Sequence, residues 1–488
     1  QFSPNGKDFI QHFVYDDFGR EKRTYLPYTS DYTEGDYQGD ALIELSSFYN
    51  NALKVAHTNY FYADKAFDGS PLNRVMKQSA PGYPWQMGYG HELEFGYSSN
   101  DADEVRQWEL DVVNGTFSSS QAYAAGTLYK NSTTDEDEHT VYQYTDKQGK
   151  VILKSVELSE SPPDYLHTYY LYDDFGNLAF VIPPRAVEAM ENGSWSSASI
   201  VVDLVFSYKY DKRHRMTQKK IPGKEVEYMV YDNRDNLILF QDGNLRDDST
   251  WLYTKYDILN RPIETGFSTS TTSGENQTDK QAEADANYLL YPEVNYEVFI
   301  GVSTSVPHGY SNVCYPPPAT TIPQLTFTYY DYYDFIPSSV PQEYSSFKEV
   351  SGFSGELATN VKGMVTGSKE RVLDGTENWL ITINYYDKFG RVLQSVSQNH
   401  LGGYDRVTNE YDFVGNVLFS EHEHQTTIGS QTELTSLTHV YEYDHAGRVK
   451  NVTLVTEAGS VGQIHKLSSM GYNELGQLVE KKRSIEPK

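Results

Sequence analysis

The sequence predicts an all-β protein assembled from repeated hairpins, and three observations carry that expectation. A six-residue string opening with Tyr-Asp recurs along the chain, tyrosine (42 copies) outnumbers even glycine (35), and the stretches after the strings alternate in polarity, as in Arg448-Val449-Lys450-Asn451-Val452-Thr453-Leu454. Aromatic and β-branched residues favour the pleated surface of a strand. Alternation with period two puts one set of side chains on each sheet face.

The string is the first element to justify. It reads YDDFGR at Tyr15–Arg20, YDDFGN at Tyr172–Asn177, YDKFGR at Tyr386–Arg391, YDFVGN at Tyr411–Asn416 and YDHAGR at Tyr443–Arg448. Weaker copies start at Tyr210 (YDKRHR), Tyr231 (YDNRDN), Tyr256 (YDILNR) and Tyr472 (YNELGQ), with YTDKQGK from Tyr144 read as a copy carrying one inserted residue. The fifth position holds Gly19, Gly176, Gly390, Gly415 and Gly447 in the strong copies, then His214, Asp235, Asn260 and Gly476. Most of these residue types tolerate positive φ. An Asp at the second position (Asp16, Asp173, Asp387, Asp412, Asp444) can hydrogen-bond the backbone ahead of it and start a turn, which the fifth residue closes. The expected structural turn residues are therefore these aspartates and glycines with their leading tyrosines, Tyr15, Tyr172, Tyr386, Tyr411 and Tyr443, each string reversing one strand into the next.

The flanks agree with strands. Phe13, Tyr142, Tyr170, Tyr208 and Tyr441 each precede a string tyrosine by two residues and so share its sheet face. Spacings of 38, 21 and 25 residues from Tyr172 to Tyr256, and of 25, 32 and 29 from Tyr386 to Tyr472, fit one hairpin per repeat. Four stretches are expected: an N-terminal module with the first hairpin at 1–130, repeats at 131–267, an irregular insertion or divergent repeats at 268–380, and repeats again at 381–488. Ser-, Gly- and Asn-rich segments, such as 97–100 and 115–120, interrupt the first stretch; the loop 268–274 and Pro316-Pro317-Pro318 mark the third. One or two short helices are expected, at Pro183–Glu191, with Pro184 in its first turn and Asn192-Gly193 as its stop, and at Asp279–Leu290.

Composition narrows the function classes. With 68 Asp plus Glu against 40 Lys plus Arg, the 488-residue chain carries a formal charge of −28, which repels phosphate backbones and anionic lipid surfaces. No nucleic-acid partner and no membrane insertion are expected, since no apolar run approaches the length that spans a bilayer. A single cysteine, Cys314, excludes an intrachain disulfide framework and a cysteine-rich zinc site. The first thirty residues lack a signal-peptide pattern and the chain opens on Gln1, so a processed or excised piece is expected, with any export signal upstream.

Candidate chemistry is sparse, and no catalytic residue, cofactor or metal site is expected. The run Asp135-Glu136-Asp137-Glu138 lacks the glycine and alternating spacing of a calcium loop and reads as a solvated hairpin tip. His422 and His424 share one strand face, with Glu421 and Glu423 on the other, and zinc would need a further ligand from elsewhere. Asp242-Gly243-Asn244 and Asp247-Asp248 read as turn chemistry, and Cys314 as an inert thiol. No GxSxG, Walker-type GKS or GKT, or HExxH string occurs. A carboxylate pair for glycoside hydrolysis is a matter of spatial separation that sequence leaves open. The repeated tyrosines read either as ladders stacking one repeat on the next or as a sugar-stacking platform.

The strings, their spacing and the tyrosine load resemble the YD repeats of RHS-type proteins, bacterial secreted or surface polypeptides related in fold to insecticidal toxin-complex shells and teneurins. The likeness runs throughout YKYDKRHRMTQKKIPGKEVEYMVYDNRDNLILFQDGNLR from Tyr208 and WLYTKYDILNRPIETG up to Gly266. YDDFGREKRTYLPY, SPLNRV, YAAGTLYK and YDDFGNLAFVIPP resemble the leader region that precedes such repeats, and the match touches most of the chain outside about 270 to 380. The resemblance implies hairpins spiralling into a large curved shell that encloses a C-terminal toxin or variable cargo during export. Its partners would be the C-terminal remainder of its own chain, that cargo and the secretion machinery, and its place secreted or on the cell surface. The family's core segment and aspartyl autoproteolysis site have no match after Tyr472, and the sequence ends inside a repeat at Pro487-Lys488, so the resemblance implies the front part of a shell without autoproteolysis. The alternative is a surface adhesin or carbohydrate-binding protein that binds glycans through loops at 31–130 and 268–380; a hydrolase ranks behind both.

Overall fold

The computed structural model describes residues 3–4, 6–30, 35, 37–112, 114–160, 163–191, 193–197, 203–269, 276–292, 295–317, 323–351, 353–428, 431–458 and 461–483. The expected stop at Asn192, most of the loop 268–274, Pro318 and the terminal Pro487-Lys488 lie outside them. Strands take 46% of the chain and helices 10%, which makes the protein all-β. It divides into two compact units, Gln1–Glu227 with Asn473–Gln477, and Tyr228–Tyr472 with Leu478–Lys488.

In the first unit an antiparallel ladder runs in chain order. Phe13–Tyr15 pairs with Glu21–Tyr25, then come Tyr62–Phe67, Val75–Gln78 and Leu93–Ser99. Tyr129–Thr134, Thr140–Thr145, Val151–Glu160, Pro163–Tyr172, Leu178–Ile182, Phe206–Tyr210 and Met216–Lys220 continue it. Two small pairings lie outside the ladder: Asp8–Ile10 with Tyr28–Ser30, and the hairpin Arg106–Asp111 with Thr116–Ala122. That hairpin and helix α2 (Pro184–Glu191) contribute Phe117, Ala186, Val187 and Met190 to a core with Leu153, Tyr169, Leu171, Phe180 and Ile182 of the ladder. A second core forms where helix α1 (Ala41–Asn51) buries Ala41, Leu45, Phe48 and Tyr49, a helical face by their spacing, among Tyr25, Tyr28 and Phe61.

The second unit repeats the plan. From Glu227–Tyr231 the ladder passes through Leu237–Gln241, Thr250–Tyr256, Pro262–Thr269, Gln324–Tyr330, Val365–Arg371 and Trp379–Tyr386. Val392–Gln398, Tyr404–Tyr411, Val417–Ile428, Gln431–Tyr443, Val449–Ala458, Val461–Tyr472 and Leu478–Arg483 complete it. A five-residue helical turn, α3 (Gly243–Asp247), links two ladder strands. Helix α4 (Gln277–Leu290) packs Ala284 and Tyr288 on Val230, Leu239, Trp251 and Tyr253. Phe299, Tyr310, Tyr333, Ile336, Tyr344 of the short α5 (Gln342–Ser345) and Phe347 cover the ladder residues Ile263, Phe327, Tyr329, Ile381, Ile383 and Tyr385. Strands Tyr404–Tyr411 and Val417–Ile428 still bury Arg406 and Glu423 against Glu343 and Lys348, but in Gln431–Tyr443 and Val449–Ala458 no described side chain is buried, so these strands form a single layer.

Helices are more numerous than the one or two that the sequence predicts. The two expected ones are present, α4 starting two residues early because Asn276 and Asp279 form a reciprocal cap: the Asn276 side chain accepts from Thr278 N at 2.8 Å and Asp279 Oδ2 accepts from Asn276 N at 3.2 Å. Helix α1 is hidden in sequence because its interior carries Ser46-Ser47 and Asn50-Asn51, residues that signal loops, while tertiary burial of one face stabilises it. At α3 the triplet read as a turn is a helix start, Asp242 capping Leu245 N at 2.9 Å.

Candidate functional site: the Tyr-Asp turns

Every Tyr-Asp string lies where one ladder strand reverses into the next, and its bonds repeat closely. The Asp backbone N–H donates to the carbonyl of the sixth residue (Asp16 to Arg20 2.9 Å, Asp173 to Asn177 2.9 Å, Asp387 to Arg391 2.9 Å, Asp412 to Asn416 2.9 Å, Asp444 to Arg448 2.9 Å). The fifth residue donates back to the Asp carbonyl, Gly390 to Asp387 at 3.0 Å and Gly447 to Asp444 at 3.0 Å among them. The connection is thus a three-residue hairpin loop closed by a residue at positive φ. Gly19, Gly176, Gly390, Gly415 and Gly447 have φ between +74° and +99°, and His214, Asp235 and Asn260 between +61° and +69°. The leading Tyr pairs with the seventh residue across a register shift, as Tyr386 does with Val392 and Tyr411 with Val417.

The Asp side chain holds the loop from inside. Asp387 Oδ1 accepts the N–H of Phe389 and of Arg391, both at 2.9 Å, and Oδ2 accepts Arg391 Nε at 2.6 Å. Asp16, Asp257 and Asp444 bond their arginines in the same way, while Asp173 and Asp412 take the Nδ2 of Asn177 and Asn416 at 2.9 and 2.8 Å. Burial alone would raise the Asp387 carboxyl; the Arg391 backbone N–H, its guanidinium and the Phe389 N–H outweigh it and hold the group below the usual carboxylate range. Asp211 and Asp444 balance the same opposing causes to the same sign.

The leading tyrosine joins each hairpin to the one before it. Its hydroxyl donates to the carbonyl that follows the preceding turn: Tyr172 to Val151 at 3.2 Å and Tyr210 to Leu178 at 3.2 Å in the first unit, and in the second Tyr256 to Leu237 at 2.8 Å, Tyr386 to Val365 at 2.6 Å, Tyr411 to Val392 at 2.8 Å, Tyr443 to Val417 at 2.9 Å and Tyr472 to Val449 at 2.9 Å. The sixth-position cation lies over that ring, Arg391 4.6 Å from the Tyr411 centroid and Arg448 5.2 Å from that of Tyr472. Asp, Arg and the next Tyr therefore form a continuous polar rung between neighbours. Tyr15 stands apart, mostly exposed at the first hairpin.

Several further turns follow the same pattern without a full string. Asp135 accepts the N–H of Asp137 (3.0 Å) and His139 (2.8 Å) while Glu138 takes positive φ, so the acidic run is itself one of these turns, between Tyr129–Thr134 and Thr140–Thr145. Asp68 and Arg74 bracket a wider version, joined through Arg74 Nε at 2.9 Å. Tyr330-Asp331 opens another, whose loop runs out to Met364 before Asp331 N reaches the Met364 carbonyl at 3.1 Å. Asn399 builds the same loop with Gly402 and Gly403 at the other end of its strand pair. Aspartate followed by a basic residue, four positions on at His139 and six at Arg74, was the signal in the first two. The string from Tyr144 needs a correction: Thr145, not Tyr144, pairs with Val151, so no residue is inserted and the tyrosine stands one place early, buried, its hydroxyl donating to Glu104 at 2.7 Å.

Other candidates resolve into structure. His424 hydrogen-bonds Asp405 and His422 lies 3.1 Å from Ser420 Oγ, both on the exposed face, while Glu423 on the opposite face is buried against Arg406 at 2.7 Å and pairs with Lys348. Among the described residues no group of three or more His, Cys, Asp or Glu side chains could hold a metal ion. Cys314 is buried, its thiol pushed up to about 12 by burial and by Glu297. Sequence reading missed the ionic groups buried under the covering segments. Lys255 and Glu297 pair at 3.4 Å, both nearly inaccessible, and Glu264 accepts from Tyr253 at 2.6 Å and Gln324 at 2.8 Å. Burial depresses the Lys369 ammonium to about 8. Lys255, Glu264 and Lys369 stand in ladder strands and Glu297 in a covering segment, and it is the covering segments that remove them from water.

A family described as a domain of unknown function (DUF6443) matches residues 1–99. No curated protein sequence matches the chain. Among solved structures, the crystal structure of TcdB2-TccC3-TEV is similar at 12% identity and a TM-score of 0.35, over 99% of this chain and 27% of the other. The Photorhabdus luminescens Tc holotoxin pore is similar at 13% identity and a TM-score of 0.34, over 97% of this chain and 26% of the other. The chain spans about a quarter of the length of these structures.

Proposed function

We propose that the chain is a non-enzymatic wall segment of a secreted or surface-exposed bacterial container of the RHS type that its repeats resemble, enclosing a toxin or other variable cargo supplied by a C-terminal continuation of the polypeptide during export. The observation that carries this reading is the single-layer stretch of ladder at Gln431–Tyr443 and Val449–Ala458, in which no described side chain is buried. Ordinary domains gain stability by packing two layers around a core. A sheet that forgoes the second layer, and is held instead by a polar rung from each hairpin to the next, covers area rather than filling volume. Strand-to-strand pairing along each unit also leaves few strand edges free to aggregate, and the acidic composition keeps a large exposed sheet dissolved. The secretion machinery would be its other partner.

Limited proteolysis of the natural full-length polypeptide tests this reading. The cargo segment is expected to survive a protease that digests it within minutes once the wall is unfolded; cleavage of the cargo at the same rate in both states would contradict it. A second reading, adhesion, rests on the apolar side chains that the turns hold into solvent, Phe18 and Phe175 at 80% exposure and Phe413 at 94%. It predicts that Phe413→Ser and Phe175→Ser abolish binding to a glycan or cell surface, whereas containment predicts no such binding to lose.

A further inference from the structure

We infer that a small cavity in the first unit, between the hairpin Arg106–Asp111/Thr116–Ala122 and the Asp146 and Asp173 turns, is a binding site for a single neutral sugar ring. This goes beyond containment and stands on different residues. The cavity holds about 210 Å³ and is lined by Trp108, Tyr123, Asp146, Lys150, Tyr172 and Asp173, among others. Pockets for drug-sized ligands hold roughly 300–1,000 Å³, so this smaller space suits one ring.

Its polar groups are unlike those of the other turns. In the Asp387 and Asp444 turns the sixth residue satisfies Oδ2 of the aspartate, through Arg391 Nε at 2.6 Å and Arg448 Nε at 2.7 Å. In the Asp146 turn Oδ1 accepts Gln148 N at 2.9 Å and Lys150 N at 2.8 Å, but Lys150 extends to the next hairpin, its Nζ 5.2 Å from the Tyr172 ring centroid, and Oδ2 has no protein donor among the described residues. The Tyr123 hydroxyl likewise has no protein partner among the described residues, and burial together with the Asp146 charge keeps it protonated and able to donate. The site thus offers a free carboxylate oxygen, a phenol, an ammonium and the rings of Trp108 and Tyr123. Two carboxylates oppose an anion, and Lys150 opposes a cation. A neutral ring bearing several hydroxyls and one apolar face uses every group: hydroxyls donate to Asp146 Oδ2 and accept from Lys150 and Tyr123, while the C–H face lies on an aromatic ring.

Saturation-transfer NMR and calorimetry on the full chain, with D-glucose, D-galactose, D-mannose and N-acetyl-D-glucosamine as probes and glucuronate and choline as charged controls, test the site. At least one neutral sugar is expected to bind with Kd on the order of 1 mM, and neither control. Asp146→Asn keeps the acceptor for both backbone N–H groups, as Asn473 does in its own turn by accepting Gln477 N at 2.9 Å, and Tyr123→Phe removes only the hydroxyl. Each is expected to weaken sugar binding at least about tenfold with the thermal midpoint unchanged. Binding by none of the four sugars, binding of a charged control in their place, or affinities that both variants leave intact would overturn the proposal.

Discussion

At the scale of the residue, the account turns on one aspartate per hairpin. Asp387→Ala removes the acceptor of two backbone N–H groups and of Arg391 and is expected to cost about 2 kcal/mol. Asp387→Asn, which keeps the backbone acceptor, is expected to cost less than half of that, ranked by thermal or urea melting. The aspartates also set an acid limit. Their folded pKa values lie below the unfolded value of about 3.9, so their contribution is complete at neutral pH and lost as pH falls through the folded values. Thermal midpoints should therefore drop steeply below about pH 4, and Asp387→Asn should flatten that drop; a midpoint indifferent to acid would count against the clasp. Gly390 sits at φ +80°, and a Cβ there would meet Met364 Cε at 3.1 Å. Gly390→Val should destabilise the protein by at least about 1–2 kcal/mol, read as a lower melting midpoint, because the left-handed backbone resists a β-branched side chain.

Between neighbouring elements the tyrosine hydroxyl is the fastener. Tyr411→Phe removes its bond to the Val392 carbonyl and should cost about 1 kcal/mol, with Tyr443→Phe adding a similar amount, since each deletes its own rung. By contrast Phe413→Ser, at a position 94% exposed, should change stability by less than about 0.5 kcal/mol; equal losses in the two kinds of variant would contradict the rung. Much of the fold at this scale was legible, because a local hydrogen-bonding residue at the second position and a φ-tolerant one at the fifth are written in the hexamer itself. The copy with its loop stretched from Asp331 to Met364 was not, since pairing of Tyr330 with Val365 depends on residues far apart in sequence. Helix α1 escaped for the complementary reason: its Ser and Asn content favours loops, and the burial of Leu45 and Phe48 against Tyr25 and Phe61 that overrides it is tertiary.

Over the whole molecule the cores lie where inserted segments cover a ladder face, and where no insertion arrives the sheet continues as one layer. Periodicity could announce the strands but not which face a distant segment would cover, so nothing in sequence marked the strand residues Lys255 and Glu264 as buried or Glu297 of the covering segment as the partner of Lys255. The same reasoning explains why the cavity of Trp108 and Asp146 had no signature in sequence: it joins an inserted hairpin to two turns. The central proposal is that a stretch of sheet without a second layer serves to enclose a cargo. Electron micrographs of single particles of the natural full-length polypeptide test it most directly. The account predicts a hollow particle with density for the cargo inside its wall; a solid rod, or a chain of separate globules, would contradict it.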